Sequence, residues 1–290
     1  LNIKDKYVDL NYYLAAARFK LNKKEESLKS FKNHIKLVED YEKTESKNVH
    51  VPENDSNSIT IISIYDNYKV KSGLETNWGF SALIKTGNEQ ILFDTGGNPK
   101  ILLSNMKKLG IKPDSIDKIF ISHIHGDHSG GLKTFLEHNS DVLVFIPKSF
   151  PVSMKNMITE KGAEYTEISK MYEISDNVYS TGELSGPPTE QSLVIKSENG
   201  IIVMTGCAHP GIARIVKRAK EMMKEDKVYL VVGGFHRPPK SVVKEFREIG
   251  VEKVAPSHCT GDDVIKAFAR EYKKNFIEYG VGKEITIYQE

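Results

Sequence analysis

The sequence predicts an α/β protein: sheets covered by outer helices, with an α-helical hairpin placed before them. Three observations predict it. Early apolar runs follow one another as antiparallel strands do, whereas later ones alternate with helix-like runs. Residues 1–43 carry only a helical period. Six of the nine histidines (all but His34, His50 and His138) fall at ends of strand-like runs, where one rim of such a sheet would gather them.

Leu10, Tyr13, Leu14 and Ala17 recur at the spacing of one helix face, and Leu28, Phe31, Ile35 and Val38 do much the same. Asn22-Lys23-Lys24-Glu25 between them has the form of a helix start, with Asn22 as cap and Glu25 reaching back. Tyr12 to Phe31, with Ala15, Ala16, Phe19 and Leu28, is similar to one tetratricopeptide repeat, although a plain helical appendage fits as well. A lone repeat cannot bury its own face. It must pack on the main domain, on further repeats, or on a protein partner or second copy. Residues 44–58 are polar, contain Pro52 and lack a period, which reads as a linker.

The main domain runs over 59–290. Residues 59–65, 81–85 and 90–93 read as strands. Asn98-Pro99 opens a helix that stops at Gly110. Residues 118–122 and 141–146 are strands. Residues 193–196 and 201–205 form a hairpin through Glu198-Asn199-Gly200. There follow a helix at 211–224, a strand at 228–232, a helix at 241–249, a short strand at 253–255, a helix at 262–274 and a last strand at 284–288.

Composition excludes several classes. A net charge of +2 writes in no strong pull toward nucleic acid or anionic membrane, and no apolar run approaches a membrane span. The first residues lack a signal-peptide pattern. Cys207 and Cys259 are too few for a disulfide-built fold, so the compartment expected is cytoplasmic, with one disulfide between them left open.

The strongest chemistry lies in His123-Ile124-His125-Gly126-Asp127-His128, which follows the apolar Ile119-Phe120-Ile121 and precedes Gly130-Gly131. In extended backbone His123 and His125 point to one side and can bind one ion. Asp127 and His128 fall where the chain turns toward a helix, so they can face a second ion. Imidazoles with a carboxylate suit zinc, manganese or iron, not calcium. Two adjacent divalent ions, zinc first among them, imply a hydrolase that turns a metal-bound hydroxide on an ester or phosphate-containing small molecule. Asp127 would both bind metal and orient the nucleophile. His236, after Gly233-Gly234-Phe235, is read as a substrate-binding or proton-donating residue.

This motif resembles the metal loop of the metallo-β-lactamase superfamily. The resemblance implies a four-layer αβ/βα sandwich. It implies that Asp94, in Phe93-Asp94-Thr95-Gly96-Gly97, holds the metal loop from behind, that Cys207 binds or bridges metal, and that His258 completes the second ion. The superfamily takes a third histidine for the first ion from an upstream Gly-His turn, but here the turn reads Gly182-Glu183. His209 is the preferred replacement and Glu183 the spare.

The match extends to Glu75-Thr76-Asn77-Trp78-Gly79-Phe80-Ser81, Glu190-Gln191-Ser192-Leu193, Gly206-Cys207-Ala208-His209-Pro210-Gly211 and His258-Cys259-Thr260-Gly261. Together these resemble the superfamily branch named for a dihydropterin-methyl-ribofuranosyl-aminobenzene phosphate synthase. That resemblance implies an alternative: a transferase that condenses a dihydropterin methyl diphosphate with a ribofuranosyl-aminobenzene phosphate, an electron-rich ring attacking in place of water. Arg237 would then grip phosphate, and Trp78 and Phe235 would stack on the pterin. A reading from another class is a metal-binding redox or protein-interaction module.

Overall fold

Two mixed sheets face each other, each built from an antiparallel meander that gives way to parallel βαβ units. The computed structural model describes residues 58–87 and 89–289. The hairpin expected at 1–43 and all but the last residue of the linker expected at 44–58 lie outside them.

The first sheet contains β1 (Ser58–Tyr65), β2 (Ser81–Thr86), β3 (Glu89–Phe93), β4 (Lys118–Phe120), β5 (Leu143–Pro147), β6 (Glu164–Ile168) and β13 (Glu284–Tyr288), in the order β13-β1-β2-β3-β4-β5-β6. Pairing is antiparallel from β13 to β3 and parallel from β3 to β6. The second sheet contains β7 (Tyr172–Ser175), β8 (Val178–Ser180), β9 (Leu193–Ser197), β10 (Gly200–Thr205), β11 (Val228–Gly234) and β12 (Val251–Ser257), in the order β12-β11-β10-β9-β8-β7. It is antiparallel from β7 to β10 and parallel from β10 to β12.

The helices are α1 (Pro99–Lys108), α2 (Gly126–Ser129), α3 (Leu132–Leu136), α4 (Val152–Glu160), α5 (Ile212–Met223), α6 (Val242–Ile249) and α7 (Asp262–Tyr272). Strand alternation sorts side chains into layers. Ile91, Phe93 and Phe120 meet Ile202, Met204, Leu230 and Val232 between the sheets. Leu92, Ile119 and Ile121 turn outward onto Leu102, Met106 and Phe135 of α1 and α3. Ile201, Val203 and Val231 turn the other way onto Ile215, Phe246 and Phe268 of α5, α6 and α7. The result is four layers, αβ/βα. Among the described residues no helix is long and apolar enough to cross a membrane.

Local chemistry sets the boundaries. Asn98 Oδ1 accepts from the backbone of Lys100 at 3.0 Å and Ile101 at 3.4 Å, with Pro99 at the first helical position, and Gly110 at φ 74° ends the turn. β5 starts at Leu143, not at 141, because Asp141 N donates to Asn139 Oδ1 in an Asx turn. β12 is longer than expected: it is the edge strand of the second sheet, and Val251, Pro256 and Ser257 are recruited by its pairing with β11.

Candidate metal centre

In each sheet the parallel strands end on the same rim, and those ends carry the candidate residues. β3 delivers Asp94, β4 delivers His123 to His128, β10 delivers Cys207 and His209, β11 delivers His236 and Arg237, and β12 delivers His258 and Cys259. Asp94, Ala208, His236, Arg237 and His258 all sit in the left-handed region, at φ 53°, 65°, 52°, 43° and 48°. Such backbone costs on the order of 1–3 kcal/mol per residue and persists where the surroundings over-determine it.

Two groups of potential ligands form there. Ligand atoms of His123, His125 and His209 lie within 4.8 Å of one another, as do those of Asp127, His128, Cys207 and His258. In the second group His128 Nε2 is 3.2 Å from both His258 Nε2 and Cys207 Sγ, and 3.5 Å from Asp127 Oδ2.

Four of these imidazoles are buried, and each has its Nδ1 taken. His128 Nδ1 meets Asp94 Oδ2 at 2.7 Å, His209 Nδ1 meets Glu190 Oε2 at 2.8 Å, and His258 Nδ1 meets Asn67 Oδ1 at 3.0 Å. His123 Nδ1 lies 2.9 Å from Ser122 Oγ, which itself donates to Asp94 Oδ2 at 2.7 Å. The Ser122 proton is therefore committed, so His123 donates from Nδ1 and presents a bare lone pair at Nε2. That Nε2 is buried and has no hydrogen-bond partner. A buried acceptor left so costs about 1–3 kcal/mol, which a cation in the all-imidazole group would relieve. The residues present thus fit divalent metal.

Electrostatics agree. Burial, and then the charge of His128, hold the His123 imidazole well below its ordinary range, in the neutral form that binds metal. His125 is also lowered, by burial and then by His209. Burial works against an imidazolium at His128, but Asp94 and Asp127 outweigh it and raise the group to about 10. Burial opposes ionisation of Asp127 too, yet its contacts with His128 and His258 hold it far below the usual carboxylate range. An imidazolium at His128 would point its Nε2–H at the place where these ligands converge. The two free thiols interact: contact with Cys207, helped by His236, lowers Cys259 against its own burial, whereas contact with Cys259, then burial and the charges of Glu190 and Asp127, raise Cys207.

The sequence places Glu190 in a motif of the resemblance but assigns it no role. It is fully buried, and its carboxylate accepts from the backbone of Cys207, Ala208 and His209 as well as from His209 Nδ1. Burial would raise it, but the His209 contact and these amides lower it to about 2. The role of Gln191 was missed as well: its side chain donates to Ile121 O at 2.9 Å and its backbone to Ser122 O, pinning the end of β4. So was Asn67. A Glu-Gln pair entering a buried strand was the available signal. Gly206 is required by close approach, since a Cβ there would run into Ser122 Oγ and lie 2.8 Å from Asp94 Oδ2.

Other expectations separate. Trp78 is 50% exposed, with its ring 4.9 Å from that of His258. Trp78, Tyr68, Arg237, His258 and Cys259 line a cavity of about 560 Å³ beside the second group. His236 is exposed and its ring lies 4.3 Å from His209. Phe235 is a correction: it is 1% exposed and packs 5.7 Å from Phe246 and 5.6 Å from Phe268, because the last pleat of β11 turns it into the helical layer. It cannot stack on a substrate there. Glu183, the spare ligand, instead accepts from Ser149 N at 2.6 Å and joins neither group. The disulfide left open is not formed.

A model of the metallo-beta-lactamase superfamily matches residues 79–159. The chain is 30% identical over 283 residues to 7,8-dihydropterin-6-methyl-4-(beta-D-ribofuranosyl)-aminobenzene-5'-phosphate synthase of Methanocaldococcus jannaschii, covering 79% of this chain and 96% of that protein. Among solved structures, a metal-dependent hydrolase of the beta-lactamase superfamily superposes with a TM-score of 0.67 at 28% identity, covering 80% of this chain and 100% of the other. The short form of human tRNase Z shares the fold, with a TM-score of 0.56 at 14% identity over 78% of this chain and 98% of its own.

Proposed function

This chain belongs to the metallo-beta-lactamase superfamily, in the branch that resembles the Methanocaldococcus jannaschii synthase, and we propose that it is a dinuclear metal-dependent hydrolase of an ester or phosphate-containing small molecule. One observation carries the reading: four histidines have Nδ1 fixed by a partner, which leaves their Nε2 atoms for metal. His123, His125 and His209 would hold one ion, and Asp127, His128, Cys207 and His258 the other, with zinc first and manganese or iron next. When bound, such ions supply Lewis acidity toward an ester or phosphate oxygen and make water acidic near neutral pH.

The chain's own residues do the rest. Asp127 accepts a hydrogen bond from the attacking water and orients it. His236, exposed on the loop after β11, donates a proton to the leaving oxygen. Arg237 pairs with phosphate oxygens, and Trp78 offers an indole face to a flat ring at the mouth of the cavity. A net charge of +2 favours a small molecule over nucleic acid. Residues 1–43 would supply any contact with a protein partner or second copy.

The 30% identity over nearly all of the Methanocaldococcus jannaschii synthase favours a second reading. The amino nitrogen on the acceptor's electron-rich ring would attack the pterin methyl carbon as its C–O bond to diphosphate breaks, the nitrogen would give up one proton to solvent, and Arg237 would hold the departing diphosphate.

Phosphorus NMR separates the two. Zinc- or manganese-loaded protein is given dihydropterin methyl diphosphate with and without the ribofuranosyl-aminobenzene phosphate, beside a panel of esters and phosphodiesters. Hydrolysis without acceptor supports the first reading, and diphosphate release only with acceptor supports the second. Asp127→Asn should cut hydrolysis by about 10²–10⁴-fold. Undiminished turnover in that variant overturns the hydrolase mechanism, and no turnover with any substrate overturns both.

A further inference from the structure

Beyond the two ligand groups, a third lies against them. Cys207 Sγ, Cys259 Sγ and a ring nitrogen of His236 fall within 4.8 Å of one another. We propose that these three residues take a third ion, soft and thiophilic, such as zinc or cadmium, and that the Cys207 thiolate is shared with the Asp127 group. The proposal rests on the two-ion reading through that shared sulfur, and it leaves only the second ring nitrogen of His236 to serve the leaving oxygen.

The donor set decides the class of ion. Two sulfurs and an imidazole are soft ligands that select zinc-like ions and exclude magnesium, calcium and manganese. Zinc–sulfur bonds of about 2.3 Å and zinc–nitrogen bonds of about 2.0–2.1 Å place tetrahedral ligand atoms roughly 3.3–3.8 Å apart. Closing to that spacing takes a shift of at most about 1–1.5 Å, and exposed His236 is free to make it.

The backbone is arranged to bring these atoms together. Gly234 leaves room for the thiol, since a Cβ there would lie 2.8 Å from Cys259 Sγ. His236 N donates to that same sulfur at 3.3 Å, and the sulfur lies 3.5 Å from Cys207 O. His236 and His258, which lead into the group, both hold left-handed backbone. Both thiols are buried, 4% and 6% exposed, and neither is in a disulfide. Cys207 also lies 3.2 Å from His128 Nε2, where one thiolate reaches both groups. Three protein ligands leave a fourth position open, and Cys259 lines the cavity beside it. A third ion there would face an entering ligand.

The test is metal titration of the full chain, stripped of metal and kept reduced and free of oxygen. Zinc stoichiometry is read by elemental analysis, and cobalt(II) is followed by its thiolate charge-transfer absorption. Wild type should take three equivalents and give the absorption of two thiolates. Cys259→Ser should lose one equivalent and about half of the band. His236→Ala, an exposed substitution that spares folding, should weaken the third equivalent by at least about ten-fold, since loss of even an outer partner of a ligand costs that much. A wild type that saturates at two equivalents, or variants that keep three with an unchanged band, overturns the proposal. His123→Ala lies outside the thiol group and should cost one equivalent while the band stays intact. A band that falls with it places the fault in the two-ion reading instead.

Discussion

The all-imidazole group and the mixed group share a rim but solve the same electrostatic problem differently. His123, His125 and His209 bring no charge of their own, and His123 Nε2 is left without a partner. Asp127, His128, Cys207 and His258 bring a carboxylate and a thiol, and their ligand atoms meet one another at 3.2–3.5 Å. The first group therefore waits for a Lewis acid, whereas the second exchanges a proton for one. Asp94 ties them together, since it holds His128 directly and His123 through Ser122.

The largest test removes one group at a time. His123→Ala should empty the all-imidazole group and leave the mixed group loaded. His258→Asn should do the reverse, Asn being chosen because it tolerates the left-handed backbone at φ 48°. Elemental analysis after gel filtration reads both. If either variant loses both ions, the two groups are one cooperative site and the comparison fails.

A smaller effect comes from Glu190→Gln, which leaves every metal ligand in place. Both carboxylate oxygens face N–H groups, so either orientation of the amide turns an NH₂ toward a donor. The mismatch should cost about 1–3 kcal/mol of stability. Affinity at the all-imidazole group should fall about 10–100-fold, because His209 loses the partner that fixes its ring. Isothermal titration that finds only the mixed group weakened would contradict this assignment.

The two groups also differ in pH dependence. The metal-free His128 is raised from 6.5 to about 10, so its contribution to stability is complete below 6.5 and is lost as pH climbs to about 10. Glu190 is lowered from 4.5 to about 2, so its contribution is complete above 4.5 and fades as pH falls to about 2, on the order of 3 kcal/mol at most. Melting temperatures in chelator should therefore fall on both limbs. Metal loading should flatten the alkaline limb, where the ion replaces the proton on His128. An alkaline limb unchanged by zinc would mean that His128 is not a ligand.

The legible parts of the sequence were those in which one local pattern carries the signal. Central strands announced themselves because both faces are buried, as in Ile119-Phe120-Ile121 and Ile201 to Met204. β6 and β7 did not: they are sheet edges, and Glu164-Tyr165-Thr166-Glu167 and Tyr172-Glu173 leave mostly exposed or half-buried side chains. α4 was silent for a similar reason, with Ile158 its one buried residue. At the site, the spacing within His123 to His128 spoke for itself. Glu190 and Asn67 did not, because each meets its histidine across the fold, 19 and 191 positions away. Phe235 misled because the residue after a pleat cannot be assigned to a face until the strand end is known.

The smallest expected effect contrasts that aromatic with Trp78. Trp78 is half exposed beside His258 and contributes little to the core, so Trp78→Ala should change stability by no more than about 0.5 kcal/mol. If its indole stacks on a flat substrate, the loss of about 0.5–1.5 kcal/mol should raise KM by about 2- to 13-fold with kcat unchanged. Phe235→Ala inverts the pattern: it opens a cavity between Phe246 and Phe268 and should cost about 3–5 kcal/mol in stability. Steady-state kinetics and denaturant melts on the pair decide it. A Trp78→Ala protein that keeps its KM while its stability drops would make the indole part of the scaffold, and substrate stacking would have to come from Tyr68, which lines the same cavity, or from no side chain at all.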